Sequence, residues 1–206
     1  DTGTNMAFTV NEILEGTSGT VSSKIGEMSL QVADLALDGA RGNSGAILAQ
    51  FFVGLSESLE GKDKMSVQDF AKAFKKASDN AWDALSDPQE GTILTIFKDL
   101  AKFLLDYTSE PNNNDFVPLM DACLQEAQKS LDNTPKQMQL LQKAGVVDAG
   151  AQGFVDLLEG INEFIQSGRL KDLGSIINTP KEFEDFDNSH DFSNLTYQFC
   201  TECVIE

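Results

Sequence analysis

Apolar residues recur at the helical period along almost the whole chain as far as Arg169. The clearest stripe runs from Val67 to Leu85, where apolar side chains follow one another at steps of three and four residues. Ser66 precedes this stripe, and Asp69 lies three residues after Ser66, a spacing typical of a capping box. Because no segment before residue 190 alternates convincingly at period two, the sequence predicts an all-α fold.

About eight amphipathic helices are predicted, and we expect them to pack as an antiparallel bundle. Stop and start signals agree with this division. Thr134 and Pro135 are predicted as the N-cap and first residue of a short helix, Gly145 closes that helix, and Gly61 closes another. Apart from the helix that begins at Val67, the predicted helices span about residues 7–15, 20–38, 44–59, 91–107, 114–132, 134–144 and 150–168.

The end of the chain differs from the helical part. Residues 181–206 hold seven acidic residues and one lysine, and Leu195, Tyr197 and Phe199 alternate with polar residues as in a short strand. We therefore predict a helical domain at residues 1–180, followed at 181–206 by an acidic connector and the start of another domain. Since the chain opens at Asp1 inside a Gly/Thr/Asn cluster, we expect it to be a piece of a longer protein.

Charge and composition exclude several classes of protein. The chain has 33 acidic residues against 15 basic ones and a net charge of −18, which excludes a general nucleic-acid binder. No apolar run is long enough to predict membrane insertion. Three cysteines form no disulfide framework, and no signal peptide is recognisable, so we expect a cytoplasmic location.

Four glycine-rich junctions each precede a predicted helix, and they carry the chemical signal of the sequence. Such a loop leaves backbone N–H groups free at the positive end of a helix dipole, which suits phosphate binding. Any one junction alone is explained better by helix capping, but antiparallel helices bring alternate junctions to the same end, where they can share one ligand. In chain order the junctions are Asp1-Thr-Gly-Thr-Asn-Met6, Gly39-Ala-Arg-Gly-Asn-Ser-Gly45, Glu90-Gly-Thr-Ile-Leu-Thr95 and Val147-Asp-Ala-Gly-Ala-Gln-Gly153.

In this order, separated by helices, the four segments resemble the N-terminal nucleotide-binding domain of the bacterial fatty acid kinases, which are related to the dihydroxyacetone kinase L subunit family. The resemblance covers residues 1–170 and continues into Tyr197 to Glu202. It implies an antiparallel barrel of about eight helices that binds ATP and magnesium at one end. It also implies that the substrate is a fatty acid carried by a separate binding protein, and that the product is an acyl phosphate.

The resemblance also implies roles for individual residues. Asp1 would hold magnesium, Thr4 and Asn5 would lie beside the phosphates, and the loops around Thr92 and Asp148 would border the nucleoside. No catalytic side chain is assigned, because phosphoryl transfer depends mostly on positioning and charge neutralisation. The expected nucleotide-binding residues are Thr2, Thr4, Asn5, Arg41, Gly42, Asn43, Ser44, Gly45, Thr92, Thr95, Asp148 and Gly150.

Two departures from the related families bear on this expectation. The fatty acid kinase pattern has Pro-Asp-Gly-Asp and a further helix before Asp1, and Asp1 alone makes a poor magnesium site. Dihydroxyacetone kinase L subunits carry a histidine after the last acidic residue of the first loop and Ala-Ser-Gly-Pro in the second. Here these positions are Thr2 and Asn43-Ser-Gly-Ala46, which favours the fatty acid kinase side.

Other interpretations of the same residues stay open. The rival function is an inert helical interaction module whose glycine junctions are only caps, and Arg41 is equally well explained as a solvated surface residue. Cys200 and Cys203 have the spacing of half a zinc site, and the resemblance implies that Cys200 is a zinc ligand in the longer protein. A homodimer through downstream domains is also expected. Residues predicted to be ordinary core are Cys123, Phe51, Phe52, Phe97 and Phe103, and His190 is predicted to be solvated.

Overall fold

The computed structural model describes residues 2–19 and 21–168. Within these ranges the chain forms eight α-helices and no strand, which confirms the predicted all-α fold. The helices are α1 (Thr2–Thr17), α2 (Ile25–Gly39), α3 (Gly42–Leu59), α4 (Val67–Asp83), α5 (Ile93–Ser109), α6 (Phe116–Gln137), α7 (Gln139–Ala144) and α8 (Ala149–Ser167).

Consecutive helices pack side by side, as short connections between antiparallel helices require. Each helix from α1 to α6 contacts the next one along the chain, and α3 also contacts α1. The last helix, α8, packs against α6, α5 and α1. Since α8 touches the first helix of the chain, it closes the bundle.

The core is built around a cluster of phenylalanine rings from α3, α4, α5 and α8. Phe51 stacks on Phe97 with 4.3 Å between ring centroids, and Phe154 meets Phe97 edge-on at 4.7 Å. Phe52 and Phe103 are partly buried against this core, and Cys123 is fully inside it, where burial raises the pKa of the thiol to about 12. The prediction that these residues are core is therefore confirmed.

Helices α3 and α4 approach each other closely at Gly54. A Cβ atom placed on Gly54 would lie 2.5 Å from the Cα of Ala77 and 2.8 Å from the carbonyl oxygen of Lys76. Because these are backbone atoms of the neighbouring helix, no side chain at residue 54 fits without separating the two helices.

Most of the predicted helix ends are observed. The Ser66 N–H donates to Asp69 Oδ2 and the Asp69 N–H donates to Ser66 Oγ, both at 3.1 Å, so the capping box forms in both directions. Lys62 Nζ lies 2.9 Å from Asp69 Oδ1, and together with Ser66 it holds the pKa of Asp69 well below its ordinary value. Gly61 and Gly145 follow α3 and α7 with φ of 71° and 68°, as their predicted stop roles require.

Three predicted boundaries are wrong. The first helix begins at Thr2 rather than near residue 7, so the first junction is a helical turn and not a loop. The second helix begins at Ile25 rather than near residue 20. Thr134 and Pro135 do not start a helix, because α6 runs through them to Gln137 and α7 begins at Gln139.

The continuation of α6 through Pro135 has a local explanation. Proline has no N–H to donate to the carbonyl four residues earlier, which is that of Leu131. The hydroxyl of Thr134 donates to the Leu131 carbonyl oxygen at 2.8 Å instead. The side chain of Thr134 thus replaces the missing backbone bond.

Several predictions fall on residues outside the described ranges. They concern Asp1, the domain boundary near Pro180, the strand-like segment from Leu195, His190, and the pair Cys200 and Cys203. In the described part of the chain, none of the helices is long and apolar enough to cross a membrane.

Candidate functional site

The N-termini of α1, α5 and α8 meet at one end of the bundle. A Cβ atom on Gly150, in the first turn of α8, would lie 3.5 Å from Cγ2 of Thr2 and 3.5 Å from Cβ of Ile93. Thr2 begins α1 and Ile93 begins α5. The first, third and fourth junctions are therefore neighbours.

The N-terminus of α3 joins this group through α1. A Cβ atom on Gly42 would collide with the side-chain amide of Asn5, and one on Gly45 would lie 2.9 Å from Thr9 Oγ1. Gly42 also has a φ of 57°, which a residue with a side chain rarely adopts. We call the region around the first turns of α1, α3, α5 and α8 the junction end.

Glycine at these positions has a structural use, because α1 lies directly on the junctions. Thr2 and Met6 contact the first turns of α8 at Gly150 and Gly153, while Asn5 and Thr9 contact α3. The buried Thr9 hydroxyl makes a further link at 3.4 Å to the Gly39 carbonyl oxygen at the end of α2. The glycines therefore permit close packing of α1, whatever else the junctions do.

Asp148 connects the starts of α5 and α8. Its Oδ1 accepts the N–H of Ala151 at 2.8 Å, as an N-cap of α8, and the N–H of Ile93 at 3.0 Å. Burial raises the pKa of this carboxyl, and the N–H donors of Ala151, Ile93 and Gly150 partly offset the increase. The Asp148 N–H donates to Thr134 Oγ1 at 3.2 Å. Asp148 is thus committed to holding helix ends together.

The hydroxyls of the third junction are also engaged inside the protein. Thr92 caps α5 by accepting the Leu94 N–H, and it donates to the Gln89 carbonyl oxygen at 2.8 Å. The buried Thr95 hydroxyl accepts the Gly91 N–H at 2.8 Å and donates to Glu90 at 2.8 Å. Both threonines therefore already have partners.

The start of α3 differs from those of α5 and α8. Its N-cap residue, Arg41, provides no side-chain cap. No hydrogen bond reaches the backbone N–H groups of Gly42, Asn43 and Ser44 from within the described part of the chain. Asn43 is exposed and Ser44 is half-buried. Three donors at the positive end of an 18-residue helix thus remain available to an anion.

Arg41 is exposed and bound to the end of the preceding helix. Its Nη1 donates to the carbonyl oxygens of Asp38 at 3.0 Å and Ala40 at 2.8 Å. A cation at the C-terminus of a helix is favourable, because it meets the negative end of the helix dipole. In this arrangement the guanidinium stabilises the end of α2 at the rim of the junction end.

Every predicted nucleotide-binding residue thus lies at the junction end, in two groups. Thr2, Thr92, Thr95, Asp148 and Gly150 surround the starts of α5 and α8, and Thr4 lies in the first turn of α1. The second group, around the start of α3, is Asn5, Arg41, Gly42, Asn43, Ser44 and Gly45.

Sequence reasoning missed Thr9, Glu90 and Thr134, which bind the junctions from within helices or loops. Glu90 accepts hydrogen bonds from Thr95 and from Lys98 Nζ at 2.6 Å, and these two partners hold its pKa below the ordinary value. Glu90 stands beside a glycine in the third junction, but its partner eight residues away follows no short-range pairing rule. No sequence signal marked Thr9 as a hydrogen-bonding centre, and Thr134 was predicted only as the N-cap of a short helix.

The available donors fit phosphate better than they fit a metal ion. Backbone N–H groups and the Asn5 amide beside Gly42 suit phosphate oxygens. Across residues 2–19 and 21–168, no group of three His, Cys, Asp or Glu side chains is placed to hold a metal ion. Asp1 lies outside these ranges, so its role as a magnesium ligand stays a prediction.

Comparison with known proteins identifies the family of the chain. The sequence model of the DAK2 domain matches residues 1–163. The chain is 37% identical over 211 residues to an uncharacterized protein of Staphylococcus epidermidis strain RP62A and 32% identical over 211 residues to one of Staphylococcus aureus strain USA300. These alignments cover 100% of this chain but only 37% and 38% of the relatives, so the chain spans little more than a third of their length. The chain belongs to the DAK2 domain family, whose members resemble the L subunit of dihydroxyacetone kinase.

Proposed function

We propose that this chain is an ATP-binding phosphotransferase domain. It positions magnesium-bound ATP for the phosphorylation of a fatty acid that a separate binding protein carries, and the product is an acyl phosphate. The observation that carries the nucleotide-binding part is the uncapped start of α3 at the junction end. The kinase association of the DAK2 family supports the same class of function.

The start of α3 has the properties that a phosphate site needs. Gly42 and Gly45 have no side chains to shield the backbone, so a phosphate can approach the N–H groups of residues 42–44. Ser44 adds a hydroxyl, and Asn5 adds an amide beside Gly42. In a chain of net charge −18, these donors and the helix dipole locally favour an anion.

Magnesium, when bound, would neutralise part of the phosphate charge, and Asp1 is the ligand that the resemblance implies. The protein residues described above would hold the phosphates and orient the γ-phosphoryl group, which is most of what this reaction asks of a protein. Binding of ATP is in keeping with a cytoplasmic location.

Residues in the first and second junctions support a fatty acid as the phosphate acceptor. Thr2 and Asn43-Ser-Gly-Ala46 favour a fatty acid kinase. The second candidate, a dihydroxyacetone-kinase-like L subunit, is favoured by the match to the DAK2 domain. In either case the acceptor would be presented by another protein or domain, and a homodimer through downstream domains belongs to the same proposal.

An inert interaction module is the rival that the capping pattern favours, because Thr92, Thr95 and Asp148 already make hydrogen bonds that hold the helix starts. Isothermal titration calorimetry with ATP, with and without magnesium, separates the two. We expect saturable binding of ATP that weakens when EDTA removes magnesium. Absence of binding under both conditions would support the interaction module, and equal binding in EDTA would contradict the role given to magnesium.

A further inference from the structure

An open groove lies on the outer surface of the bundle between α4 and α5. Its volume is about 550 Å³. The apolar part of its lining is formed by the half-buried Trp82, the buried Ala101 and Leu105, which is 38% exposed. Lys75, Lys98 and Lys102 also line it. The groove thus combines an apolar surface with ammonium groups.

The charge of the groove is opposite to that of the chain. Its lining holds three lysines and one carboxylate, Asp79, whereas the whole chain carries −18. Lys75 pairs with Asp79, and Lys98 pairs with Glu90 and lies 5.3 Å from the centroid of the Trp82 ring. Lys102 is exposed and has no hydrogen bond or ion pair within the described residues. An acidic group is therefore the complement that the groove lacks.

The shape of the groove favours a segment of protein over a small ligand. Small-molecule sites enclose most of the ligand surface, and an open groove on the outside of two helices does not. A groove between two neighbouring helices, with an apolar base and polar edges, instead matches the way in which an amphipathic helix docks.

We propose that the α4–α5 groove is a docking site for an acidic amphipathic helix of a partner protein. The apolar side chains of that helix pack on Trp82 and Leu105, and its carboxylates face Lys75, Lys98 and Lys102. The apolar part of the groove adds specificity, because an acidic surface without an apolar face would gain only the electrostatic attraction.

This inference goes beyond the proposed function and does not depend on it. Lys98 connects the groove to the third junction through Glu90, which also binds Thr95. A partner seated in the groove would therefore lie beside the junction end without occupying the start of α3.

Trp82 provides the test, because it is the one tryptophan of the chain and lines the groove. The probe is a synthetic helical peptide with leucines at positions i, i+3, i+4 and i+7 and glutamates beside them. The matched control peptide has lysine in place of each glutamate. We expect a saturable blue shift of Trp82 fluorescence with the acidic peptide, weaker at high salt, and none with the basic peptide.

Two variants and one control variant locate the binding. Lys102→Glu is expected to weaken the acidic peptide about tenfold or more, since it reverses the unpaired charge. Lys64→Glu, an exposed position in the loop before α4, makes the same change in net charge and should leave the affinity unchanged. Leu105→Gln should weaken binding by removing apolar contact, with folding of all variants checked by circular dichroism.

Several outcomes would overturn the proposal. They are the absence of a saturable response, equal binding of both peptides, or equal effects of Lys102→Glu and Lys64→Glu. Saturation by dodecanoate, tested as a free anionic amphiphile, without saturation by the peptide would assign the groove to a small ligand instead. ATP binding is measured on the same samples, and its loss or absence would bear on the proposed function alone.

Discussion

At the level of single residues, one buried hydroxyl connects three parts of the junction end. Thr134 donates to the Leu131 carbonyl oxygen, which lacks the N–H of Pro135, and it accepts the N–H of Asp148. Asp148 in turn binds the starts of α5 and α8. The hydroxyl therefore stabilises both the end of α6 and the residue that orders the fourth junction.

Replacement of Thr134 with valine is expected to lower the free energy of unfolding by about 2–3 kcal/mol. The change keeps the shape of the side chain but leaves a buried carbonyl and a partly buried N–H without their partner. Urea denaturation measures the effect, and Thr134→Ser, which keeps the hydroxyl, should lose less.

A substitution of Pro135 tests whether the lost hydrogen bond to the Leu131 carbonyl causes this destabilisation. In the background of Thr134→Val, Pro135→Ala should restore part of the stability, because alanine offers its own N–H to the Leu131 carbonyl. If Pro135→Ala had the same effect with and without Thr134, the assigned coupling between the two residues would be wrong.

The behaviour of Thr134 shows where sequence reasoning fails at this scale. A threonine followed by proline is a good start signal for a helix, and the same pair fits inside a helix once the threonine hydroxyl replaces the lost bond. The choice between the two depends on Asp148, which is 14 residues away. No local pattern contains that information.

At the level of helices, the correctly predicted ends are those that depend on contacts between residues only a few positions apart in sequence. Ser66 and Asp69 form their capping box through contacts three residues apart, so their spacing was sufficient. The start of α1 was not predictable in this way. Thr2 and Asn5 belong to a short Gly/Thr/Asn segment typical of a loop, and they become helical in a fold where α1 packs on Gly150 and Gly42.

The capping box makes the stability of α4 depend on pH. Because the folded pKa of Asp69 is lowered, its contribution is fully present above the ordinary aspartate pKa of about 4 and is lost as the pH falls toward the folded value. The wild type should therefore be more stable than Asp69→Asn at pH 7, and the difference should shrink below about pH 4.

Chemical denaturation at a series of pH values measures this difference. Asp83→Asn, at the last residue of α4, removes the same charge from an exposed position and serves as the control. A difference between wild type and Asp69→Asn that stayed constant with pH would exclude an ionised Asp69 as its source.

The packing of α3 on α4 leads to a prediction about two glycines. Gly54→Ala should lower the free energy of unfolding by about 2–3 kcal/mol, because the new methyl group meets the backbone of Ala77 and Lys76. Gly160→Ala, in α8, has open space around it and should instead raise stability by up to about 1 kcal/mol. Equal effects of the two changes on the thermal midpoint would show that helix propensity, and not close packing, governs both.

At the level of the whole molecule, the order of the junctions and the antiparallel arrangement were sufficient to predict that alternate helix starts share one end. The sequence did not show which N–H groups at the junction end are capped by side chains and which stay available to a ligand. Thr92 and Asp148 each carry a typical N-cap side chain, and only the fold reveals that Asp148 also takes the Ile93 N–H. The start of α3 is open because the Arg41 side chain has no hydrogen-bond acceptor for the N–H groups there, and its guanidinium donates to the end of α2.

The isolated chain is expected to bind ATP without making acyl phosphate from a free fatty acid. In the proposed function another protein or domain presents the acceptor, and positioning of the attacking oxygen contributes as much as about 7–11 kcal/mol to such a reaction. Incubation with ATP, magnesium and a free fatty acid, followed by an acyl phosphate assay, tests this. Rapid turnover would mean that the chain presents the acceptor by itself.

The central claim, that the start of α3 binds the phosphates of ATP, is tested most directly by calorimetry on Asn43→Asp. A carboxylate at the second residue of α3 stabilises the helix by about 0.3–1 kcal/mol, because it lies at the positive end of the helix dipole. The same carboxylate repels a phosphate from the N–H groups there. Gln68→Glu adds the same charge at the second residue of α4. We predict that Asn43→Asp weakens magnesium-ATP binding about tenfold or more without loss of thermal stability, while Gln68→Glu leaves the affinity unchanged. Unchanged affinity in Asn43→Asp, or an equal loss in both variants, would contradict the claim.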